Sequence, residues 1–400
     1  VRLARLRDCA RARGLPHHRT EMTDDLPNPA LLPAGLADLL PPEAEREAAL
    51  VEAVLGVFAR HGYERVKPPL LEFEDSLLAG SGAAVADQTF RIMDPVSQRM
   101  MGLRADTTPQ VARIAATRLA NTPRPLRLSY AGQVLRVRGS QLAPERQLPQ
   151  AGIEIIGPDS PEADAEVAVL GVEALARAGI ADPSLDIQLP TMAPTLLDAA
   201  GVDGALRHRL ARALDRKDAA EVRAAAEEAG PPANFLTTLL DAAGPADGAL
   251  AALAAAALPP AARAIADNAA AVIAAIRARA PKLRITLDPV EFRGFRYHTG
   301  VAFTIYGPQG ELARGGRYVN GEEPATGLSL YPEAIMRAAP KAEPLPRLFL
   351  PAGTDAALAA RLREQGWITL AALSAEDTPA RLRCTHLLRD GEPTLFTEKA

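Results

Sequence analysis

The residue run 146–157, "RQLPQAGIEIIG", limits the possible folds more than any other stretch. Successive side chains of a strand point to opposite faces. Gln150, Gly152 and Glu154 therefore share one face, and Ala151, Ile153 and Ile155 the other. The apolar face needs a core. The other face carries an amide and a carboxylate separated by a glycine, the residue that lets a ligand approach the backbone. Just upstream, "PLRLSYAGQVLRVRG" (125–139) is a second strand, and the polar loop 139–145 predicts an antiparallel hairpin with a long connection. Arg136 and Arg138 fall on one face of that neighbouring strand. An acid and an amide beside arginines suit a zwitterion, acid to ammonium and arginine to carboxylate. Taken one at a time, each of these side chains reads better as part of a solvated sheet face with surface ion pairs.

The flanking sequence supplies the other elements. Residues 41–61 have a helical apolar pattern with prolines at the start, acids in the first turn and Gly62 as a stop. "YERVKPPLLEF" (63–73) reads as an edge strand interrupted by prolines. A loop (79–86) and a strand, "QTFRIMD", come next. "RMMGLRADTTPQVARIAATRLA" (99–120) then changes from strand to helix near Asp106, with Thr107 or Thr108 as N-cap and Pro109 early in the helix. A helix over about 162–178 and the strand "LDIQLP" follow. "RITLDPVEF", "YHTGVAFTIYG" and "ELARGGRY" predict strands, and "TGLSLYPEAIM" (326–336) reads as a helix packed on the sheet. Strands and helices in this order predict an α+β protein built on an antiparallel sheet.

Composition separates the regions. Between Pro245 and Ala280, 19 of 36 residues are alanine, the strongest helix former. Residues 194–280 are therefore expected to be an all-α insertion between two parts of one core, 22–193 and 281–338. A linker at 339–346 precedes a small C-terminal unit, 347–400, with a strand–helix–strand pattern. Residues 1–21 are rich in arginine and lack the apolar segment of a secretory signal, so they read as a disordered extension or an upstream start before Met22. A net charge of −4 gives no overall pull toward nucleic acid. Cys9 and Cys384, with no C-x-x-C and no clustered histidines, argue for a reducing, cytoplasmic setting and against structural zinc. No apolar run approaches the roughly 20 residues needed to span a bilayer.

Several short strings, in order, resemble the class II histidyl-tRNA synthetases from about Leu32 to Arg337. "PAGLADLLPPEA" and "HGYERVKPPLLEF" are similar to the family's dimer-forming first motif. "LRADTTPQVAR" resembles its L-R-P-E-x-T segment, and "VLRVRG" with "RQLPQAGIEIIG" its second motif. "FRGFRYHTG" resembles the histidine-specific R-G-L-D-Y-Y string, and "ARGGRY" its glycine-rich partner. The resemblance implies a class II synthetase-like antiparallel sheet flanked by helices. It also implies histidine contacts at Asp106 and Thr108 (ammonium), Gln150, Glu154 and Tyr297. His298 offers a hydrogen-bonding ring where the family has a second tyrosine, and Asp106 replaces the usual glutamate with a shorter arm. Arg136 and Arg293 would meet a carboxylate or phosphate.

The nucleotide-handling positions depart from the family. Arg138 stands where an acid reads the adenine amine, and Arg296 where the family has an aspartate. In "GLSLYPEA", Tyr331 replaces a glycine and Ala334 the arginine that reaches the phosphates. Adenylate formation depends on positioning and charge neutralisation, and losing one such donor costs roughly 10²–10³-fold in rate. Histidine activation is therefore not expected, and no catalytic residue, cofactor or metal is assigned. The tail is shorter than a synthetase's anticodon-binding domain and has no basic patch, so tRNA is not an expected partner. The combination resembles the noncatalytic branch of the family that regulates ATP phosphoribosyltransferase in histidine biosynthesis. That resemblance implies a homodimer through the synthetase-like core, a short-form catalytic subunit as partner, and L-histidine as feedback effector. The alternative is a divergent histidyl-tRNA synthetase.

Overall fold

A computed structural model describes residues 31–139, 144–291, 297–341 and 345–397. The readings made for residues 1–21, Arg293 and Arg296 lie outside the described residues. Two units are present, one ending at Ala338 and the other starting at Ala339.

In chain order the first unit's strands are β1 (Glu64–Arg65), β2 (Leu71–Phe73), β3 (Arg91–Met93), β4 (Met100–Leu103), β5 (Leu126–Leu135), β6 (Gln147–Ile156), β7 (Ser184–Gln188), β8 (Gly244–Pro245), β9 (Arg284–Asp288), β10 (His298–Gly307), β11 (Gly310–Asn320) and β12 (Glu323–Leu330). Nine of them form one sheet in the order β1-β5-β6-β12-β11-β10-β7-β9-β8, and β2-β4-β3 form a small separate sheet. The β5–β6 hairpin and the β6-β12-β11-β10 succession are antiparallel. Within this sheet, among the described residues, only β1–β5 and β7–β9 pair in parallel. The expected α+β class with an antiparallel sheet is what the chain forms. The proline-interrupted stretch 63–73 supplies two strands, β1 at an edge of the large sheet and β2 at an edge of the small one.

Helices cover the back of the large sheet. The helix Pro161–Arg177 begins with Ser160, whose side chain accepts from the Ala163 N–H, and carries Glu162 and Asp164 in its first turn. It lies close on the strands: a Cβ at Gly171 would sit 2.6 Å from a Leu328 methyl and 2.8 Å from an Ile305 methyl. Glycine is what permits that approach. The 194–280 insertion is mostly helical but not all-α, because Gly244–Pro245 pairs with β9 as an edge strand; its last helix, Pro260–Arg279, packs against Pro161–Arg177. Small side chains allow the two axes to come close, so this part of the insertion helps cover the core.

Three expectations need correcting. The face bearing Gln150 and Glu154 is not solvated, because Gln150 is 3% and Glu154 1% exposed. Both faces of β6 are interior. Strand β5 stops at Leu135, so alternation no longer relates Arg136 to Arg138. The chain is drawn away there because the Val137 N–H donates to the Gln88 carbonyl at 2.9 Å. Finally, "TGLSLYPEAIM" is not one helix. Thr326–Leu330 belongs to β12 and pairs with β6, and the helix begins only at Pro332. Proline lacks an N–H to give an interior turn, so it starts the helix rather than continuing one.

The second unit has strands β13 (Arg347–Leu350), β14 (Ile368–Ala371), β15 (His386–Arg389) and β16 (Glu392–Leu395), with a helix at Ala356–Glu364. Leu348, Leu350, Ala359, Leu362 and Leu388 form its core. The β15–β16 hairpin was not foreseen. Its signal was available in Asp390-Gly391, a pair that accepts the positive φ angles of 50° and 83° required by a two-residue hairpin turn.

Candidate functional site

Four central strands bring one row of side chains beside another on the front of the sheet. Arg314 of β11 is opposite Ser329 of β12, which is opposite Gly152 of β6, which is opposite Tyr130 of β5. The next row is Gly316, Gly327, Glu154 and Leu128. Glycines thus alternate with polar groups and leave bare backbone as a floor. The floor cannot take larger residues. A Cβ at Gly327 would lie 1.8 Å from Glu154 Oε2, and one at Gly152 would lie 2.4 Å from the Tyr130 hydroxyl.

Glu154 stands at the centre of this floor. Tyr318 Oη donates to Glu154 Oε2 at 2.9 Å. Burial raises the Glu154 carboxyl to about 8, against the opposing effect of the hydrogen bond from Tyr318. The nearby charge of Asp106 adds to the upward shift. Burial and the Glu154 charge also push the Tyr130 and Tyr318 hydroxyls up. A neutral acid in this position is ready to ionise when a cation arrives.

Asp106 and Gln150 form a second group. Gln150 Oε1 accepts from the Thr107 N–H at 2.9 Å, and its Nε2 donates to Asp106 Oδ1 at 3.1 Å and Ser329 Oγ at 2.9 Å. Asp106 Oδ1 also accepts from the Thr108 N–H at 2.9 Å, an Asx turn at the start of the helix Thr108–Thr117. Thr107 occupies the N-cap position but makes no side-chain cap bond, so Asp106 does the capping. Asp106 Oδ2 takes no hydrogen bond among the described residues. Thr108 Oγ1 lies 3.1 Å from the Tyr130 hydroxyl, which is 2.9 Å from Ser329 Oγ.

Thr108, Glu154, Tyr297, Arg314, Tyr318 and Ser329 line one cavity with the surrounding glycines. Its volume is about 10 Å³, the size of one water molecule. Tyr297 stacks on His298 with ring centres 4.0 Å apart, and His298 sits behind it against Gly316. His298 is buried and is not among the residues that line the cavity.

The positions that the resemblance assigns to a nucleotide are built differently. Arg136 Nε is 3.5 Å from the Ala105 carbonyl, and Arg138 is exposed. Tyr331 is pushed up to about 12 by burial and by the charge of Glu311, with Arg314 acting the other way. Ala334 lies in the short helix Pro332–Ala338, whose Glu333 pairs with Arg337.

The residue-by-residue reading passed over Tyr130, Ser329, Tyr318, Arg314 and Arg317. Alternation in "ARGGRY" separates the last three. Arg317 points to the back, where its Nε donates to Asp164 Oδ2 at 2.9 Å and its other nitrogens reach the carbonyls of Pro158 and Ser160. It ties the helix Pro161–Arg177 to the sheet. Arg314 and Tyr318 point to the front.

This sheet, with an acid, an amide and a helix start facing a glycine floor, defines a class II histidyl-tRNA synthetase-like protein. Residues 35–335 match the histidyl-tRNA synthetase family. A solved ATP phosphoribosyltransferase regulatory subunit/histidyl-tRNA synthetase from Bacillus halodurans superposes with a TM-score of 0.75 at 22% identity, covering 88% of this chain and 95% of that one. Among sequences, the ATP phosphoribosyltransferase regulatory subunit of Paramagnetospirillum magneticum is 56% identical over 88% of this chain and 93% of its own length. That of Rhodospirillum centenum is 52% identical over 92% and 98%. The chain belongs to the family of ATP phosphoribosyltransferase regulatory subunits.

Proposed function

We propose that this chain is a noncatalytic, histidine-sensing subunit that associates with a short-form ATP phosphoribosyltransferase. It is needed for that enzyme's activity and takes part in its inhibition by histidine. The observation that carries the reading is the contrast within one site. Glu154, Gln150 and Thr108 are buried and, with the half-buried Asp106, form a hydrogen-bonded amino-acid side, whereas the nucleotide side lacks its arginine at Ala334 and exposes Arg138. The chain forms a homodimer through its synthetase-like core, has no part in charging tRNA, and works in the cytoplasm.

In this reading, Asp106 and Thr108 hold the ammonium group of histidine, while Glu154 and Tyr297 meet the ring. Histidine inhibits only by binding the inhibited assembly more tightly than the active one, and a coupling of about 1–3 kcal/mol is typical. Chemistry on ATP and the phosphoribosyl donor belongs to the partner chain.

The test mixes the purified chain with a short-form catalytic subunit. Co-elution, restored phosphoribosyl transfer and inhibition by L-histidine are expected. With Glu154→Ala, co-elution and activity persist and histidine inhibition disappears. Failure to restore activity would overturn the regulatory role. Robust histidine-dependent ATP–pyrophosphate exchange by the chain alone would overturn its noncatalytic character.

A further inference from the structure

We propose that Ser329 is a positioning residue for the ammonium end of the site: it holds Gln150 and Tyr130, which in turn hold Asp106 and Thr108. This rests on the reading of the site as a histidine pocket.

The hydrogen bonds form a closed ring. The Thr108 N–H and Gln150 Nε2 both donate to Asp106 Oδ1, at 2.9 and 3.1 Å. Gln150 Nε2 also donates to Ser329 Oγ at 2.9 Å. Ser329 Oγ lies 2.9 Å from the Tyr130 hydroxyl, which lies 3.1 Å from Thr108 Oγ1. Asp106, Gln150, Ser329, Tyr130 and Thr108 are thus joined in sequence around the ring. The Gln150 amide has one orientation, because its Oε1 accepts from the Thr107 N–H. Its NH2 group therefore faces Asp106 and Ser329. The serine, accepting from that amide, has its own proton to give to Tyr130.

Sheet geometry explains why the ring closes at residue 329. Asp106 and Thr108 sit where the chain leaves β4 and enters a helix, outside the large sheet. Gln150 ties that turn to β6, and Tyr130 ties it to β5. Tyr130 on β5 and Ser329 on β12 flank β6, and each stands opposite Gly152. A Cβ at Gly152 would lie 2.4 Å from the Tyr130 hydroxyl. The missing side chain is what lets the two hydroxyls meet over β6. Gly152 thus serves a bridge between strands, where the sequence suggested the close approach of a ligand. Gln150, Tyr130 and Thr108 are buried, and a buried polar group that loses its partner is costly. Opening the ring at Ser329 therefore frees the turn that carries Asp106 and Thr108.

Calorimetric titration of the full chain with L-histidine is the test, with 4-methylimidazole, a ring without an ammonium group, measured as competitor. Ser329→Ala is expected to weaken L-histidine roughly 5- to 100-fold, the cost of leaving buried polar groups unpaired. The affinity for 4-methylimidazole should stay within about twofold, because its contacts lie away from the ring of bonds. Tyr130→Phe opens the same ring. The doubly substituted chain should therefore fall short of the product of the two losses by about threefold or more. A serine that met the ligand directly would give losses that multiply, and that result overturns the assignment. Equal weakening of 4-methylimidazole overturns it too, since a general loosening of the fold affects both ligands. L-histidine affinity that survives Ser329→Ala does the same. Ser329→Cys, close in size but a weak hydrogen-bonding group, should act in the same direction and serves if the alanine variant does not fold. If the unsubstituted chain does not bind L-histidine, the histidine-pocket reading falls and takes this assignment with it.

Discussion

The two sides of the site come from neighbouring segments, yet they differ in how their polar groups are held. On the amino-acid side, Gln150 makes three hydrogen bonds with both ends of its amide, and Glu154 and Tyr318 are bonded in the interior. At the positions that the resemblance assigns to a nucleotide, Arg138 is exposed just past the end of β5 and Ala334 offers no side-chain donor. Buried polar groups are costly unless every one finds a partner. Keeping Gln150, Glu154 and Tyr318 bonded in the interior while Arg138 lies at the surface is the contrast that the proposed sensor, binding without activating, requires.

The largest expected effect comes from the floor. Gly327→Ala would drive a methyl into Glu154 Oε2. Histidine binding should be lost to calorimetry, with a fall in stability of about 1–3 kcal/mol by urea denaturation. A variant that binds normally would show that the floor is looser than its register implies.

Glu154→Gln tests the charge. Because the Glu154 carboxyl lies near 8 in the folded chain and near 4.5 in the unfolded chain, the fold favours its neutral form. The associated stability is fully present below 4.5 and is lost as pH rises through about 8. The unsubstituted chain should lose on the order of a few kcal/mol over that window relative to Glu154→Gln, whose profile should be flatter. Denaturation curves at several pH values check this.

Gln150→Ala leaves the Thr107 N–H and one bond to Asp106 unmet. A stability loss of about 1–3 kcal/mol and weaker histidine binding are expected. On the other side, Arg138→Ala should change stability by no more than about 0.5 kcal/mol and leave histidine affinity unchanged. A clear loss there would show that the nucleotide side still binds something, and the comparison would fail.

Much of the amino-acid side was legible because a strand's period is short and strict. Gln150, Gly152 and Glu154 had to share a face, and Asp106 and Thr108 had to lie where a strand becomes a helix. The errors arose where long-range contacts override local pattern. Thr326–Leu330 could be read as a helical stretch because its residues are small and apolar, until pairing with β6 made it a strand. Arg136 and Arg138 continued an alternation that the bond from Val137 to Gln88 ends.

By itself, the sequence determined which side chains could face together along each strand, where proline and glycine stop or bend the chain, and that alanine stands where the resemblance would put a phosphate-binding arginine. Only the tertiary structure decided that the polar face of β6 is interior, that Tyr318 rather than water meets Glu154, and that Arg314 shares its cavity. Those outcomes depend on which strands lie next to one another. Residues 154, 318 and 327 are far apart along the chain, and only the sheet's order brings them within hydrogen-bond or van der Waals reach.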